Sequence, residues 1–214
     1  MGKVNAEAKR LEEILNRLTG GGPPPKPGLD YDTPWRQLVA TLLSAQCTDA
    51  RVNMVTPSLF AKYPGPAEMA VADLEELEEA IRSIGLFRNK AKNLKAMAEK
   101  VVREHGGAVP PEREALERLP GVGRKTASVV LAQAFGVPAF AVDTHVGRVS
   151  MRLGFTKTKD PLKVEEKMCS LMPPERWGKA HLILIIHGRY CCKAQRPLCG
   201  ECKVFDLCRW PEKG

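Results

Sequence analysis

The sequence predicts an all-α fold, and three observations support that prediction. Apolar residues recur at three- to four-residue spacing along most of the chain, whereas the alternation typical of strands is nearly absent. Glycine and proline collect between the periodic segments, where helices must end. Hydrophobic residues form 43% of the 214 residues and aromatic residues only 6%, a composition that fits a helical core of Leu, Val, Ile and Ala. This length accommodates one large domain or two small ones.

Ten periodic segments follow one another along the chain, and each predicts a helix. In chain order they are Ala6–Leu18, Trp35–Ala45, Arg51–Ala61, Leu74–Ile84, Lys90–His105, Glu112–Leu119, Lys125–Phe135, Thr144–Leu153, Pro161–Leu171 and Arg176–Tyr190.

Residues between these segments support the assignment. Asp73, Asp143 and Asp160 each stand just before a periodic segment, where a carboxylate caps the first turn of a helix. The stretch GGGPPPKPG, Gly20–Gly28, cannot be helical and reads as a linker after the first helix. The first helix is therefore able to pack against a part of the chain that is distant in sequence.

The charge balance points to a polyanionic partner. The chain has 33 Lys and Arg against 25 Asp and Glu, a net charge of +8. Such an excess favours nucleic acid or an acidic membrane surface, although a merely soluble basic protein carries the same charge. The charged start is unlike a signal peptide, and the longest strongly apolar run, Leu182–Ile186, is too short to cross a bilayer. We therefore expect a soluble, cytoplasmic protein.

A glycine turn separates two of the predicted helices. In LPGVG, Gly121 and Gly123 permit backbone conformations that other residues avoid, and the turn opens onto the start of a helix. The backbone amides of Gly121, Val122 and Gly123 are therefore candidates to bind a nucleic-acid phosphate without reading any base. The alternative is an ordinary corner between two helices.

Lys125 and Asp143 are the candidate catalytic residues. Lys125 lies in the first turn of the helix after the glycine turn. A nucleophilic lysine must lose its proton, and a carboxylate such as Asp143 is able to accept it or to stabilise positive charge on a reacting sugar. Each residue also has a simpler interpretation, because Lys125 suits a phosphate contact and Asp143 suits the N-cap of the Thr144–Leu153 helix.

The cysteines near the C-terminus indicate a metal centre. Cys192, Cys199, Cys202 and Cys208 are four thiols within seventeen residues, a set that suits structural zinc or an iron–sulfur cluster. The spacing alone does not choose between the two metals, and the adjacent Cys191 competes as a ligand. Basic residues surround these cysteines, and we expect Lys193 and Arg196 to contact phosphate, unless they belong to a solvated basic tail.

Five segments together resemble the endonuclease III family of DNA glycosylases, which belongs to the helix-hairpin-helix superfamily. They extend over nearly the whole chain, from about Trp35 to Cys208, and match the family in the same order. They are LLSAQCTDARVN (42–53), IRSIGLFRNKAKNL (81–94), LPGVGRKTA (119–127), AVDTHVGRV (141–149) and the cysteine loop that follows HGRYCC (187–192).

This resemblance implies a fold and a cofactor. It implies two helical domains with a DNA cleft between them, one a six-helix barrel at 27–137 that holds the helix-hairpin-helix at about 112–135. The other joins residues 1–26 to 138–214 and holds the loop 192–208. A 4Fe–4S cluster on Cys192, Cys199, Cys202 and Cys208 is implied as well.

The resemblance also implies an activity. Lys125 attacks the sugar C1′ of an everted nucleotide with the help of Asp143, the damaged base leaves, and β-elimination from the Schiff base nicks the strand on the 3′ side. Gln46 fills the hole left by the base and Leu86 wedges into the duplex. Without the resemblance, Gln46 reads as a helix-surface residue and Leu86 as a core leucine. The implied partner is duplex DNA with oxidised pyrimidines or abasic sites, bound by a monomer in a prokaryotic, nucleoid-associated setting.

Two other functions are consistent with parts of the sequence. A related mismatch glycosylase shares the hairpin, but adenine-specific relatives carry a carboxylate on the helix that matches Trp35–Ala45, and this chain has no Asp or Glu between Trp35 and Thr48. Relatives specific for adenine or thymine lack the lysine found here at position 125. A non-catalytic iron–sulfur module that binds DNA has no need of Asp143 together with Lys125.

Overall fold

The all-α prediction is confirmed. The computed structural model describes residues 2–213, which contain eleven α-helices and no strand. The helices are α1 (Gly2–Thr19), α2 (Pro34–Leu43), α3 (Asp49–Lys62), α4 (Pro66–Ala70), α5 (Leu74–Ala80), α6 (Phe87–His105), α7 (Arg113–Glu117), α8 (Arg124–Ala134), α9 (Thr144–Arg152), α10 (Pro161–Cys169) and α11 (Trp177–Tyr190).

One helix falls where the sequence predicts only a joint. Pro66 begins α4 because proline is well suited to the first position of a helix, and the Glu68 carboxylate accepts a hydrogen bond from the Gly65 amide at 3.0 Å. A second difference lies between α5 and α6. α5 ends at Ala80 instead of continuing to Ile84, and α6 begins at Phe87 instead of Lys90. Among residues 2–213, no helix is both long and apolar enough to span a membrane.

The chain folds into two compact units. We call residues 27–137 the hairpin unit, and the described residues before and after it the cluster-loop unit. In the hairpin unit, helix α2 is buried on nearly every side, from Trp35 through Leu43. It packs against α3, α6 and α8. Thr33 caps its start by accepting a hydrogen bond from the Arg36 amide at 3.2 Å.

The cluster-loop unit is made from both ends of the chain. Helix α1 packs against α11, and Leu11 and Ile14 enter a core that also contains Phe140 and Leu184. The Arg10 guanidinium donates hydrogen bonds to the carbonyl oxygens of Leu153 and Leu207 at 2.7 and 3.0 Å. The first helix therefore packs against distant parts of the sequence, as the linker after it predicts.

The glycine turn between α7 and α8 packs directly on two helices. Gly121 has a φ of 76°, and a β-carbon there would lie 2.9 Å from Leu42 Cδ1 and 3.0 Å from the Asn93 side chain. Leu42 belongs to α2 and Asn93 to α6. The turn thus requires glycine both for its backbone conformation and for the space available.

Substituting Gly121 with alanine should destabilise the protein more than substituting Gly136. Gly136 also has a positive φ of 63°, but a β-carbon there would have no atom within 4 Å. We expect Gly136→Ala to cost about 1 kcal/mol of unfolding free energy from conformation alone. Gly121→Ala should cost roughly a further 1–3 kcal/mol, because Leu42 and Asn93 must move. Denaturant unfolding of both variants measures the difference, and equal costs would contradict close packing at the turn.

Candidate functional site

Lys125 projects from the first turn of α8, directly after the glycine turn. The Val122 side chain is buried and anchors the turn, whereas Gly121, Gly123 and Lys125 are exposed. Gly123 is the N-cap residue of α8 and has no side chain with which to cap the helix. The first amides of the helix therefore keep their capacity to bind an anion.

Asp143 is the N-cap of α9 and is half-buried. Its Oδ1 accepts a hydrogen bond from the Val146 amide at 2.8 Å. Asp143 therefore caps a helix in the structure. Because a carboxylate has two oxygens, capping through Oδ1 is compatible with a second role. Asp143 belongs to the cluster-loop unit and Lys125 to the hairpin unit.

Three residues other than glycine have a positive φ in the described chain, and all three belong to the predicted DNA contacts. They are Gln46 at 55°, Leu86 at 59° and Arg196 at 47°. A left-handed backbone costs a residue with a β-carbon about 1–2 kcal/mol, and such residues concentrate at functional sites. Gln46 is exposed, and so are Lys193 and Arg196. Leu86 is 57% exposed, which excludes the interpretation as a core leucine.

Five cysteines line one cavity in the cluster-loop unit. They are the four predicted ligands, Cys192, Cys199, Cys202 and Cys208, together with Cys191. Each is half-buried, and none of them forms a disulfide within residues 2–213. Arg152 and Lys213 line the same cavity, so positive charge is available to offset several thiolates. An all-sulfur donor set with nearby cations fits an iron–sulfur cluster.

A ring nitrogen of His187 and the sulfurs of Cys191 and Cys202 lie within 4.8 Å of one another. Burial lowers the pKa of His187 to about 4, so its imidazole is neutral at physiological pH. Burial, followed by interactions with Cys202 and other neighbouring thiols, raises the pKa of Cys191 to about 12. Thiols this crowded ionise together only around a cation, which is what a metal centre provides. The choice between Cys191 and Cys192 as ligand thus remains open on geometry alone.

Two arginines that the sequence analysis does not single out hold the cysteine loop to α9. Arg148 donates from Nε to the Cys192 carbonyl at 3.0 Å and from Nη2 to the Gly188 carbonyl at 2.8 Å. Arg152 donates to the carbonyls of Lys193 and Ala194 at 2.6 and 3.1 Å. Arg148 and Arg152 are four residues apart on one helix face, and that spacing is the signal in the sequence that would have paired them.

Comparison with known families gives two matches. Residues 39–174 match the HhH-GPD superfamily of base excision DNA repair proteins. Residues 192–208 match the iron–sulfur binding domain of endonuclease III, and this second match begins and ends at the first and last predicted ligands. It confirms the 4Fe–4S cofactor that the family resemblance implies, in preference to zinc.

Sequence similarity to known proteins extends over nearly the whole chain. Endonuclease III of Synechocystis sp. is 50% identical over 96% of this chain and 94% of its own length. Endonuclease III of Escherichia coli (strain K12) is 46% identical over 97% of this chain and 98% of its own length. The structure of a trapped endonuclease III–DNA covalent intermediate superposes with a TM-score of 0.90 at 47% identity, covering 94% and 95% of the two chains. A thermostable thymine-DNA glycosylase superposes with a TM-score of 0.87 at 26% identity, covering 98% and 100%.

Adjacent cysteines provide a matched test of the ligand set. Cys192→Ser should lose the iron and the yellow-brown colour of the purified protein, since serine is a poor ligand for iron in a cluster. Cys191→Ser should retain both, because the family match begins at position 192. Iron analysis and visible absorption of the two variants measure the outcome. Iron lost from Cys191→Ser but retained by Cys192→Ser would assign the ligand to Cys191.

Proposed function

This chain belongs to the endonuclease III family of base excision repair enzymes, DNA glycosylases with AP lyase activity, and we propose that its substrates are oxidised pyrimidines, such as thymine glycol, and abasic sites in duplex DNA. The observation that carries the proposal is the exposed Lys125 in the first turn of α8, directly after the glycine turn. Once it has lost its proton, a lysine amine next to an anion-binding turn suits a reaction on the sugar–phosphate backbone.

The first steps bind and open the duplex. The amides of Gly121, Val122 and Gly123 bind a phosphate and fix the position of the DNA strand. Leu86 enters the base stack and Gln46 occupies the space that the everted nucleotide leaves. Support for these two roles comes from the exposure of both side chains and from the strained backbone at both positions.

The covalent steps follow at the everted nucleotide. The Lys125 amine forms a bond to C1′ as the bond from C1′ to the base breaks, and the departing base carries away the electron pair. Asp143 accepts the proton that the amine loses and stabilises positive charge on the sugar. The C1′–O4′ bond of the sugar ring then breaks, O4′ takes up a proton, and the C1′–N bond becomes an iminium ion. This iminium acidifies the C2′ proton, whose removal breaks the C3′–O bond, expels the 3′ phosphate and nicks the strand. Covalent catalysis of this kind divides one difficult step into two easier ones.

Four cysteines would hold the 4Fe–4S cluster, and the bound cluster would connect four points along the loop. They are Cys192, Cys199, Cys202 and Cys208. The chain's own contribution is to present Lys193 and Arg196 on that loop, where both side chains are exposed. These cations then contact phosphates outside the reacting nucleotide. We propose that the protein acts as a monomer on nucleoid DNA in the cytoplasm, a setting supported by its relatives in bacteria.

A mismatch glycosylase is the second candidate, and the likeness to a thymine-DNA glycosylase supports it. Lys125 argues against this candidate, because a glycosylase that uses only water has no need of a nucleophilic lysine. The identity of 26% to that structure is also lower than the 47% to the trapped endonuclease III complex.

Trapping the imine tests the nucleophile. With duplex DNA that contains one thymine glycol, borohydride should reduce the imine to a stable amine and cross-link the wild-type protein to the strand. Lys125→Ala should not cross-link, whereas Lys163→Ala, which removes an exposed lysine from α10, should cross-link like wild type. Denaturing gel electrophoresis separates the adduct. Cross-linking by Lys125→Ala would identify another residue as the nucleophile.

Asp143 variants separate the capping role from the catalytic role. Asparagine caps a helix as well as aspartate does, so Asp143→Asn should leave thermal stability nearly unchanged while it lowers the glycosylase rate by about 10²–10⁴-fold. Asp143→Ala should lose the same activity and also about 1 kcal/mol of stability. Melting curves and single-turnover rates give the two readouts. Full activity in Asp143→Asn would restrict this residue to the cap.

A further inference from the structure

The turns that carry Gln46 and Leu86 are in contact within the hairpin unit. Gln46 follows the end of α2, and Leu86 is the N-cap residue of α6. Gly85 lies against the first turn, because a β-carbon at this glycine would be 3.4 Å from the Gln46 carbonyl oxygen. Two strained residues that are forty positions apart in sequence therefore sit on adjoining backbone.

A buried lysine joins the two turns. Lys90 is 5% exposed and lies one turn into α6, where its amide donates to the Leu86 carbonyl at 3.1 Å. Its Nζ donates to the Leu43 carbonyl at 2.9 Å and to the Ala45 carbonyl at 2.5 Å. One residue thus binds the base of the Leu86 turn through its backbone and the start of the Gln46 turn through its side chain.

Removing the Lys90 ammonium from water costs free energy, and hydrogen bonds to carbonyl oxygens compensate part of that cost. The oxygens that receive the ammonium protons are carbonyls at the C-terminal end of α2, where the helix dipole is negative. Burial lowers the pKa of Lys90, while the nearby Cys47 acts in the opposite direction. An apolar side chain would fill this space without desolvating a charge, so packing alone does not account for a lysine here.

We propose that Lys90 is a positioning residue that fixes the Gln46 turn to the Leu86 turn, so that both side chains enter the DNA duplex as one rigid pair. This inference rests on the proposed function, which gives Gln46 and Leu86 their roles in the duplex. Holding Ala45 by its carbonyl keeps the next residue, Gln46, in its left-handed conformation. Without the ammonium, the turn is free to relax, and Gln46 no longer points in a direction set by Leu86.

The effect should depend on the substrate. An intact damaged base must be everted and its place filled, whereas a preformed abasic site has no base to remove from the stack. We expect Lys90→Met to lower the single-turnover glycosylase rate on thymine glycol by about 100-fold, the usual effect of a misplacement near 1 Å. Strand nicking at a preformed abasic site should fall by less than about 5-fold, because it needs only the later covalent steps.

Lys100→Met is the matched control. It removes the same charge from the same helix, and the position lies roughly 15 Å further along α6 at 1.5 Å per residue. Lys100 pairs only loosely with Glu104, at 3.7 Å, so its loss should leave both rates near those of wild type. If the methionine variant melts below the assay temperature, every comparison is made at a lower temperature at which all the variants are folded.

Fluorescence tests the positioning role without catalysis. 2-Aminopurine opposite the lesion should brighten when wild type or Lys100→Met binds, since the inserted side chains unstack it, and Lys90→Met should bind without that increase. Combining Lys90→Met with Gln46→Ala should lower the glycosylase rate little more than either change alone. Additive losses, equal losses on both substrates, or normal fluorescence in Lys90→Met would overturn the inference. Wild-type protein that brightens 2-aminopurine but cleaves neither substrate would instead contradict the proposed function.

Discussion

The close packing of the glycine turn against α2 and α6 is the constraint on which the hairpin unit depends. Leu42, near the end of α2, and Asn93, on α6, leave room for only a hydrogen atom at Gly121, so the glycine turn is fixed to both helices. A few residues away, the Lys90 ammonium binds the carbonyl of Leu43, the last residue of α2, and the carbonyl of Ala45 in the turn that follows. Three loops that are distant in sequence are therefore held at one junction. They are the glycine turn, the Gln46 turn and the Leu86 turn.

Local strain at this junction is compensated by the surrounding packing. Gln46 and Leu86 adopt a conformation that unfolded chains avoid, at a cost of about 1–2 kcal/mol each. Leu86 adds a second cost, because 57% of an apolar side chain faces solvent. Both costs are local, whereas the burial of α2 on nearly every side is a property of the whole unit. A well-packed helix thus permits two unfavourable residues nearby, and residues of this kind concentrate at functional sites.

Sequence patterns predict structure that depends on residues close together in the sequence, and they miss contacts between residues that are far apart in the sequence. Helical periodicity identified ten of the eleven helices among residues 2–213, and Asp143 was predicted to be a cap. Pro66 does not distinguish a joint from a helix start in the sequence, because proline both ends helices and begins them. Lys90 carried no signal, since its partners are carbonyl groups 45 and 47 positions earlier in the chain. The exposure of Leu86 followed only from family resemblance, because hydrophobicity alone predicts the opposite.

The two units differ in how their pieces are ordered along the chain, and this has a consequence for synthesis on the ribosome. The hairpin unit is one continuous segment, 27–137, whose contacts are complete soon after its last helix emerges. The cluster-loop unit is made from two separate segments. Arg10 donates a hydrogen bond to a carbonyl group 197 residues later in the chain, and Arg17 donates one to Asp206. Helix α1 is therefore translated well before Phe140 and α11, against which its apolar face packs, and that face is uncovered in the meantime. An uncovered apolar face on a nascent chain favours aggregation until the segments that cover it have been translated.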